Sequence, residues 1–324
     1  MEINQIIHIL ADGAFHSGES LGLRLGVSRA AIWKQMSQLE KLGLQVYSVK
    51  GKGYRLANSI ELLSEPLIRA HLSHREAELF SCIDIRSEVA STNDQVKMQA
   101  GASAKFPQVC LAERQSAGRG RRGRTWVSPY GTNIYMSLAW DFPELTGALD
   151  GLSLCVGIAV AEAIADLGVE GVGMKWPNDL LYRQRKLAGI LLELEGELSG
   201  PMQVIIGIGV NVEMTQSQGV DIDQECISLA EITATKISRN LLVAKILSQL
   251  ANTLPRFQAG GFIDFRERWH ELDALLNQPV VLSMANKEVT GFSRGVTQDG
   301  ELLIEDNVGV RAYRGGEVSL RVAE

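Results

Sequence analysis

The apolar residues change period within the first 56 positions. Ile3, Ile6, Ile7 and Leu10 recur at helical spacing, and Gly13 ends that run. Ser17 or Ser20 offers a cap for a second helix through Leu21 and Leu25, which stops at Gly26. Ser28 caps a third helix with Ile32, Met36 and Leu39 on one face. After Gly43 the period drops to two. Val46–Val49 and Tyr54–Leu56 read as short strands around the basic tip Gly51-Lys52-Gly53. Two helices joined by a turn at Gly26 and followed by a hairpin predict a winged helix-turn-helix.

Charge singles out the same stretch. Between positions 24 and 55, Arg24, Arg29, Lys34, Lys41, Lys50, Lys52 and Arg55 stand against one acid, Glu40, in a chain of net charge −6. A basic module on an acidic body points to localised nucleic-acid contact rather than general polyanion binding. The third helix would present Ser28, Arg29, Ala30, Trp33, Lys34 and Gln35 to bases and phosphates, with Lys52 reaching from the hairpin tip. The alternative is an interaction module whose Lys and Arg are merely solvated.

Residues 57–66 read as a linker. Beyond it, strand-like runs (Val109–Ala112, Ile134–Leu138, Val204–Ile208) alternate with helical ones (Leu152–Leu167, Leu241–Phe257). From Pro279 onward, short alternating segments broken by Asp299-Gly300, Asn307-Val308-Gly309 and Gly315-Gly316 suit a small all-β barrel. The chain therefore reads as α/β (α+β) and multidomain. Its expected parts are a winged helix at 1–62, a central mixed α/β domain at 63–272 and a β barrel at 273–324. No apolar run approaches the roughly 20 residues needed to cross a bilayer. Met1–Asn4 does not open a signal peptide, so a cytoplasmic protein without membrane contact is expected. Cys82, Cys110, Cys155 and Cys226 are too scattered for a metal knuckle or a disulfide framework. His71 and His74 lack a third ligand, so no protein metal site is predicted.

The chemistry gathers in the central part. Gly118-Arg119-Gly120-Arg121-Arg122-Gly123-Arg124 has G-x-G-x-x-G spacing, but Trp126, Pro129 and Gly131 follow too soon for the helix of a dinucleotide fold. Glycines let backbone N–H groups approach an anion, and the arginines neutralise phosphate by forked hydrogen bonds. Four like charges in seven residues predict a loop that is mobile alone and ordered by a polyphosphate or acyl-phosphate. A basic nucleic-acid patch is the alternative. Lys175-Trp176-Pro177-Asn178-Asp179 is followed by Lys186-Leu187-Ala188-Gly189-Ile190, which reads as a turn feeding a buried strand. A lysine there pairs with a carboxylate or a phosphoryl oxygen, whereas Asn178-Asp179 alone suits a plain turn. Gly207-Ile208-Gly209-Val210-Asn211 offers close backbone approach and one amide. Ser91-Thr92-Asn93 supplies neutral donors and acceptors, though such a triplet by itself is most often a helix cap.

Together these segments resemble the biotin–protein ligases. With the winged helix in front, the chain resembles their bifunctional form, which also represses the biotin operon. The resemblance implies a central ligase fold and an SH3-like C-terminal barrel. It also implies a two-step reaction: biotin and ATP give biotinyl-5′-AMP, then a lysine of a biotin carboxyl carrier protein displaces AMP. Ser91, Thr92, Asn93, Gln115, Arg119, Gly120, Arg121 and Lys186 match the family's biotin contacts. Arg121, Arg122, Trp126, Asn178 and Asn211 would hold the adenylate, with Trp126 against adenine. Lys186 and Arg119 would be the catalytic cations. Mg²⁺ would bridge the ATP phosphates, with Asp179 as a partner further out. A homodimer formed on adenylate binding would carry two winged helices to a palindromic operator, the adenylate acting as corepressor. The segment 213–228, a loop near the adenylate in the family, has little apolar material here. Glu317 and Arg321 on the last strand would serve ATP or the acceptor, or simply be exposed charges. Two other readings stay open: a lipoate- or octanoate-handling acyltransferase with a regulatory domain, and a biotin-sensing repressor without catalysis.

Overall fold

The computed structural model describes residues 3–99, 107–142, 149–195, 202–219, 224–284, 287–316 and 318–323. The first three helices are α1 (Ile3–Leu10), α2 (Gly18–Leu25) and α3 (Arg29–Lys41). Ser17 Oγ accepts from Ser20 N and Ser28 Oγ from Ala31 N, so both predicted caps satisfy helix donors that would otherwise be orphaned. Gly26 ends α2 at φ 66°, a left-handed conformation in which a Cβ would be strained. β1 (Val46–Val49) and β2 (Gly53–Leu56) form the antiparallel hairpin, Val49 opposite Gly53. Helices and hairpin close over Ile6, Ile7, Leu10, Leu21, Ile32, Met36, Leu39, Leu44 and Leu56. This is the winged helix-turn-helix that the sequence predicts.

The chain continues through α4 (Glu65–Arg69), α5 (His74–Leu79), β3 (Cys82–Arg86), α6 (Thr92–Gln99), β4 (Gln108–Ala112) and β5 (Ile134–Phe142). Then come α7 (Leu149–Ala165), β6 (Val172–Lys175), β7 (Asp179–Tyr182), β8 (Arg185–Glu195), β9 (Met202–Val210), α8 (Leu229–Ile232), α9 (Arg239–Gly260) and α10 (Arg266–Leu272). Seven strands form one sheet in the order β3-β4-β5-β9-β8-β7-β6, parallel only between β3 and β4. The apolar α7 and α9 pack together over one face. The short polar α6 lies on β4, β5 and β9 across the opposite face. That face stays open beyond α6 because β8 and β9 carry Gly189, Gly207 and Gly209 where side chains would fill it.

The last strands, β10 (Pro279–Met284), β11 (Lys287–Val296), β12 (Leu302–Asp306), β13 (Gly309–Tyr313) and β14 (Ser319–Val322), make an antiparallel sheet in the order β13-β12-β11-β10-β14. The all-β expectation holds. A closed ladder does not form: among the described residues β13 and β14 are the two edges. Nor does this sheet keep a private core, since Val280, Leu282, Val296, Leu302, Ile304 and Leu320 belong to the apolar cluster that starts at Leu63. Trp176 Nε1 donates to Gly300 O at 3.0 Å across the same junction.

The stretch read as a linker is firmly held. Ser238 Oγ and Arg239 N donate to the Glu61 carboxylate at 2.6 Å, and Leu63 N donates to Glu113 Oε1 at 2.6 Å. Arg239, 1% exposed, pairs with Glu113 at 2.7 Å and donates to Asn133 O at 2.9 Å. Tyr130 of the central part completes the winged-helix core, and its hydroxyl meets Ser87 Oγ at 2.9 Å.

Candidate active site and nucleic-acid interface

On the open face of the large sheet lies a cavity of about 300 Å³. Its neutral end is built at the start of α6, where Ser91, Thr92 and Asn93 are all buried. Thr92 N and Oγ1 donate to Gln115 Oε1 at 2.8 and 3.1 Å, and Gln115 Nε2 donates to Ser128 Oγ at 3.3 Å. Ser137 Oγ, in the middle of β5, is 2.7 Å from Thr92 Oγ1 and 2.5 Å from Asn93 Oδ1. A Cβ at Gly207 would lie 2.5 Å from that Asn93 oxygen, so the glycine makes room for the amide.

The arginine-rich segment is a loop, as its sequence context requires. Gly120 N donates to Arg124 O at 2.7 Å and Trp126 N to Gly118 O at 2.9 Å. A tight turn at Arg121–Gly123 places Arg122 at φ 58° and Gly123 at φ 69°. Two of the four arginines are held by partners within the fold. Arg119 donates through both terminal nitrogens to Asp94, at 2.5 and 2.7 Å, and through one of them to Glu193 at 3.3 Å. Arg121 donates to Asn178 Oδ1 at 3.0 Å and to Gly316 O. These contacts tie the loop to α6, β8, the β6–β7 turn and the C-terminal sheet.

Lys186 is the second residue of β8, not part of a turn. The turn is Arg183-Gln184, both at positive φ. Lys186 Nζ forms an ion pair with Asp179 at 2.6 Å and stands 5.4 Å from the centre of the Trp126 ring. The indole rests against the strands: a Cβ at Gly209 would be 2.5 Å from its Cε2 and Cζ2, and one at Gly189 would be 3.0 Å from Cζ3. Asn178, after the cis Trp176–Pro177 bond, donates to Ile190 O at 2.8 Å. Asn211 donates to Lys186 O at 3.3 Å and faces Asn133 at 3.4 Å. Lys175 lines the same wall, and burial pushes its amine below the ordinary lysine value while Lys186 and Arg124 add to the effect.

The cavity thus brings together Ser91, Thr92, Asn93, Gln115, Arg119, Gly120, Arg121, Arg122, Trp126, Asn178, Lys186 and Asn211. In the winged helix, Ser28, Arg29, Ala30, Lys34 and Lys52 are exposed, and Trp33 is 66% exposed. Gln35 instead is half-buried with its carbonyl oxygen turned inside. The hairpin's Arg55 stacks between Phe15 and Tyr47, 5.1 and 5.2 Å from the ring centres.

Comparison with known proteins agrees along the whole chain. Residues 87–211 match the biotin/lipoate A/B protein ligase family, residues 2–55 an HTH domain, and residues 275–321 the biotin protein ligase C terminal domain. The bifunctional ligase/repressor BirA of Salmonella typhimurium is 42% identical over 98% of this chain and 97% of its own length. Its counterpart of the same name in Bacillus subtilis is 30% identical over 96% and 95%. The chain belongs to the bifunctional ligase/repressor family. A biotin protein ligase from Aquifex aeolicus, solved in complex with biotin and ATP, superposes with a TM-score of 0.66 at 29% identity. It covers 75% of this chain and all of its own.

Several residues in and around the cavity of this ligase/repressor family member escape a reading of short segments. Ser137 is the one small polar residue in the run Ile134–Leu138, and that break is the one signal of its role. Asp94 and Glu193 meet Arg119 only through the fold. Val318, Ser319 and Leu320 bring the C-terminal sheet to the cavity wall, while Arg321 points to Glu288 on the exposed side. Glu317 lies outside the described residues.

Proposed function

We propose that this biotin ligase and DNA-binding repressor makes biotinyl-5′-AMP in the cavity, passes the biotinyl group to a carrier-protein lysine, and binds operator DNA as an adenylate-loaded dimer. One observation carries the ligase reading. Neutral hydrogen-bonding groups for a ureido ring and cations for a carboxylate and phosphates line a single cavity of about 300 Å³. The full-length relatives are named ligase/repressors and the ligase superposed above holds biotin and ATP, which favours biotin over lipoate. A sensor without catalysis would have no use for cations gathered where charge develops.

In the first step a biotin carboxylate oxygen attacks the α-phosphorus and pyrophosphate leaves with the bridging oxygen. Negative charge grows on the phosphoryl oxygens, and fixed cations lower that barrier most. Arg119 and Lys186 fill that role. Arg121, Arg122, Asn178 and Asn211 hold the nucleotide, and Trp126 offers its ring to adenine. In the second step the neutral amine of the acceptor lysine attacks the acyl carbon. The C–O bond to phosphate breaks, AMP departs and the amine gives up a proton. Ser91, Thr92, Asn93 and Gln115 keep the vitamin ring in register throughout.

Among the described residues no cluster of three or more metal-ligating side chains exists, and Asp179 is already paired with Lys186. The described residues therefore offer no metal site of their own. Mg²⁺ fits only as the counter-ion that the ATP phosphates bring with them.

The chain divides for this purpose at 1–62, 63–272 and 273–324. For the dimer, the outer edge of β8 supplies the surface. β7 covers β8 only as far as Gly189, so Leu191–Glu195 pairs with β9 on one side alone among the described residues. Side-by-side sheets across a two-fold axis would present both winged helices to one operator. In those helices Arg29, Ala30, Trp33 and Lys34 face the duplex.

Incubation with biotin, ATP and a carrier domain, followed by avidin probing and a pyrophosphate assay, tests the ligase. An unlabelled carrier without pyrophosphate release overturns it. Sedimentation with and without biotin plus ATP tests the coupling, and an unchanged mass at operator-binding concentrations defeats it.

A further inference from the structure

Arg119 in the cavity wall is held by two carboxylates, and the residues that hold it do not themselves line the cavity. Asp94 takes both terminal nitrogens in a fork, and Glu193 lies 3.3 Å from one of them. Glu193 also accepts from Asn93 Nδ2 at 2.6 Å, so one carboxylate grips a cation and a neutral amide of the site together. Lys97, 3.6 Å from Glu193 and 2.8 Å from Glu195, closes the cluster on the outside. Asp94 follows Asn93 directly on the first turn of α6, so backbone and ion pair fix the two site residues relative to each other. Three of the guanidinium's five N–H donors are engaged this way. Among the described residues the Nε–H and one N–H of the other nitrogen have no protein partner, which leaves them for a ligand.

We propose that Asp94 and Glu193 are positioning residues that aim the remaining donors of Arg119 at the carboxylate end of biotin. The inference rests on the ligase reading above, in which the cavity's cations serve the biotin carboxylate as well as the phosphates, and it has Arg119 meet the carboxylate before charge grows on the phosphoryl oxygens. An unbraced arginine has several rotamers and pays ordering entropy when it meets an anion, whereas a braced one is preorganised. The hydrogen bonds from Arg119 also hold the Asp94 carboxyl below the usual carboxylate range, so the brace stays charged at neutral pH.

The test compares biotin with biotinamide, which lacks the negative charge, by calorimetric titration of the full-length protein without ATP. Asp94→Asn is expected to weaken biotin about three- to tenfold, the effect of losing one charge-assisted fork. Biotinamide affinity and the melting temperature should stay as in the wild type, and Asp94→Glu should recover part of the loss. Glu193→Gln should shift the same ratio. If Asp94→Asn weakens both ligands alike, changes neither, or tightens biotin, the brace is wrong. The control is Arg119→Ala. If it leaves the biotin-to-biotinamide ratio intact, Arg119 does not read the carboxylate, and that assignment falls first.

Discussion

Lys186 Nζ lies 2.6 Å from Asp179 Oδ1, inside the cavity that Arg119 and Trp126 also line. A cation held by one carboxylate can turn toward a phosphoryl oxygen without crossing bulk water. Lys186→Ala is expected to slow adenylate formation by about 100-fold or more, the scale of removing one preorganised charge-stabilising donor. Pyrophosphate release on mixing with biotin and ATP measures it. Full-speed release would remove Lys186 from the chemistry.

Gly209 should tolerate no side chain. A Cβ there meets the Trp126 ring at 2.5 Å, well inside contact distance. Gly209→Ala must push the indole off the strands, an overpacking cost of about 1–3 kcal/mol. The KM for ATP should rise more than the KM for biotin, because the ring is assigned to adenine. Steady-state kinetics in both substrates separates the two effects.

Arg239 and Glu113 form a pair with side chains 1% and 5% exposed. Removing one partner leaves a buried charge uncompensated, and Glu113→Gln should destabilise the fold by about 3–5 kcal/mol. Leu63 N loses its carboxylate acceptor in the same variant. Urea unfolding checks the prediction, and a loss below about 1 kcal/mol, the size of a surface pair, contradicts it.

Asp273 brings a pH dependence of known sign. Burial pushes its carboxyl from the ordinary 3.8 up to about 6, with Leu275 N opposing the rise by a hydrogen bond. The folded chain thus holds a proton that the unfolded chain has already released. The resulting stability is complete below pH 3.8 and drains away as pH climbs through about 6. Two pKa units set an upper bound of about 3 kcal/mol. Asp273→Asn should therefore be more stable than wild type at pH 7.5 and gain little at pH 4. Urea midpoints of both proteins at the two values decide the matter.

The winged helix was legible because its signals are local. Ser17, Ser28 and Gly26 sit where helix ends demand a cap or a left-handed residue, and each does so in the structure. The glycines of the cavity were legible as sites of close approach, but not for what approaches. The indole of Trp126 and the amide of Asn93 arrive from segments more than 60 positions away. Lys186 looked like a turn residue because Arg183 and Gln184, which make the turn at positive φ, are not the types expected there. The brace around Arg119 was invisible for a related reason. Whether Glu193 meets Asn93 depends on strand register and the seat of α6, which only tertiary packing settles.

The C-terminal sheet shares its apolar interior with the ligase half, takes the Trp176 indole hydrogen bond and places Val318–Leu320 at the cavity. Anyone trimming this polypeptide to a minimal labelling reagent would be cutting through a wall of the reaction chamber if the knife fell before Val318. Shortening from the front would uncover Tyr130, which completes the winged-helix core, and would have to leave the strap from Glu61 to Ser64 stitched to Arg239 and Asn240.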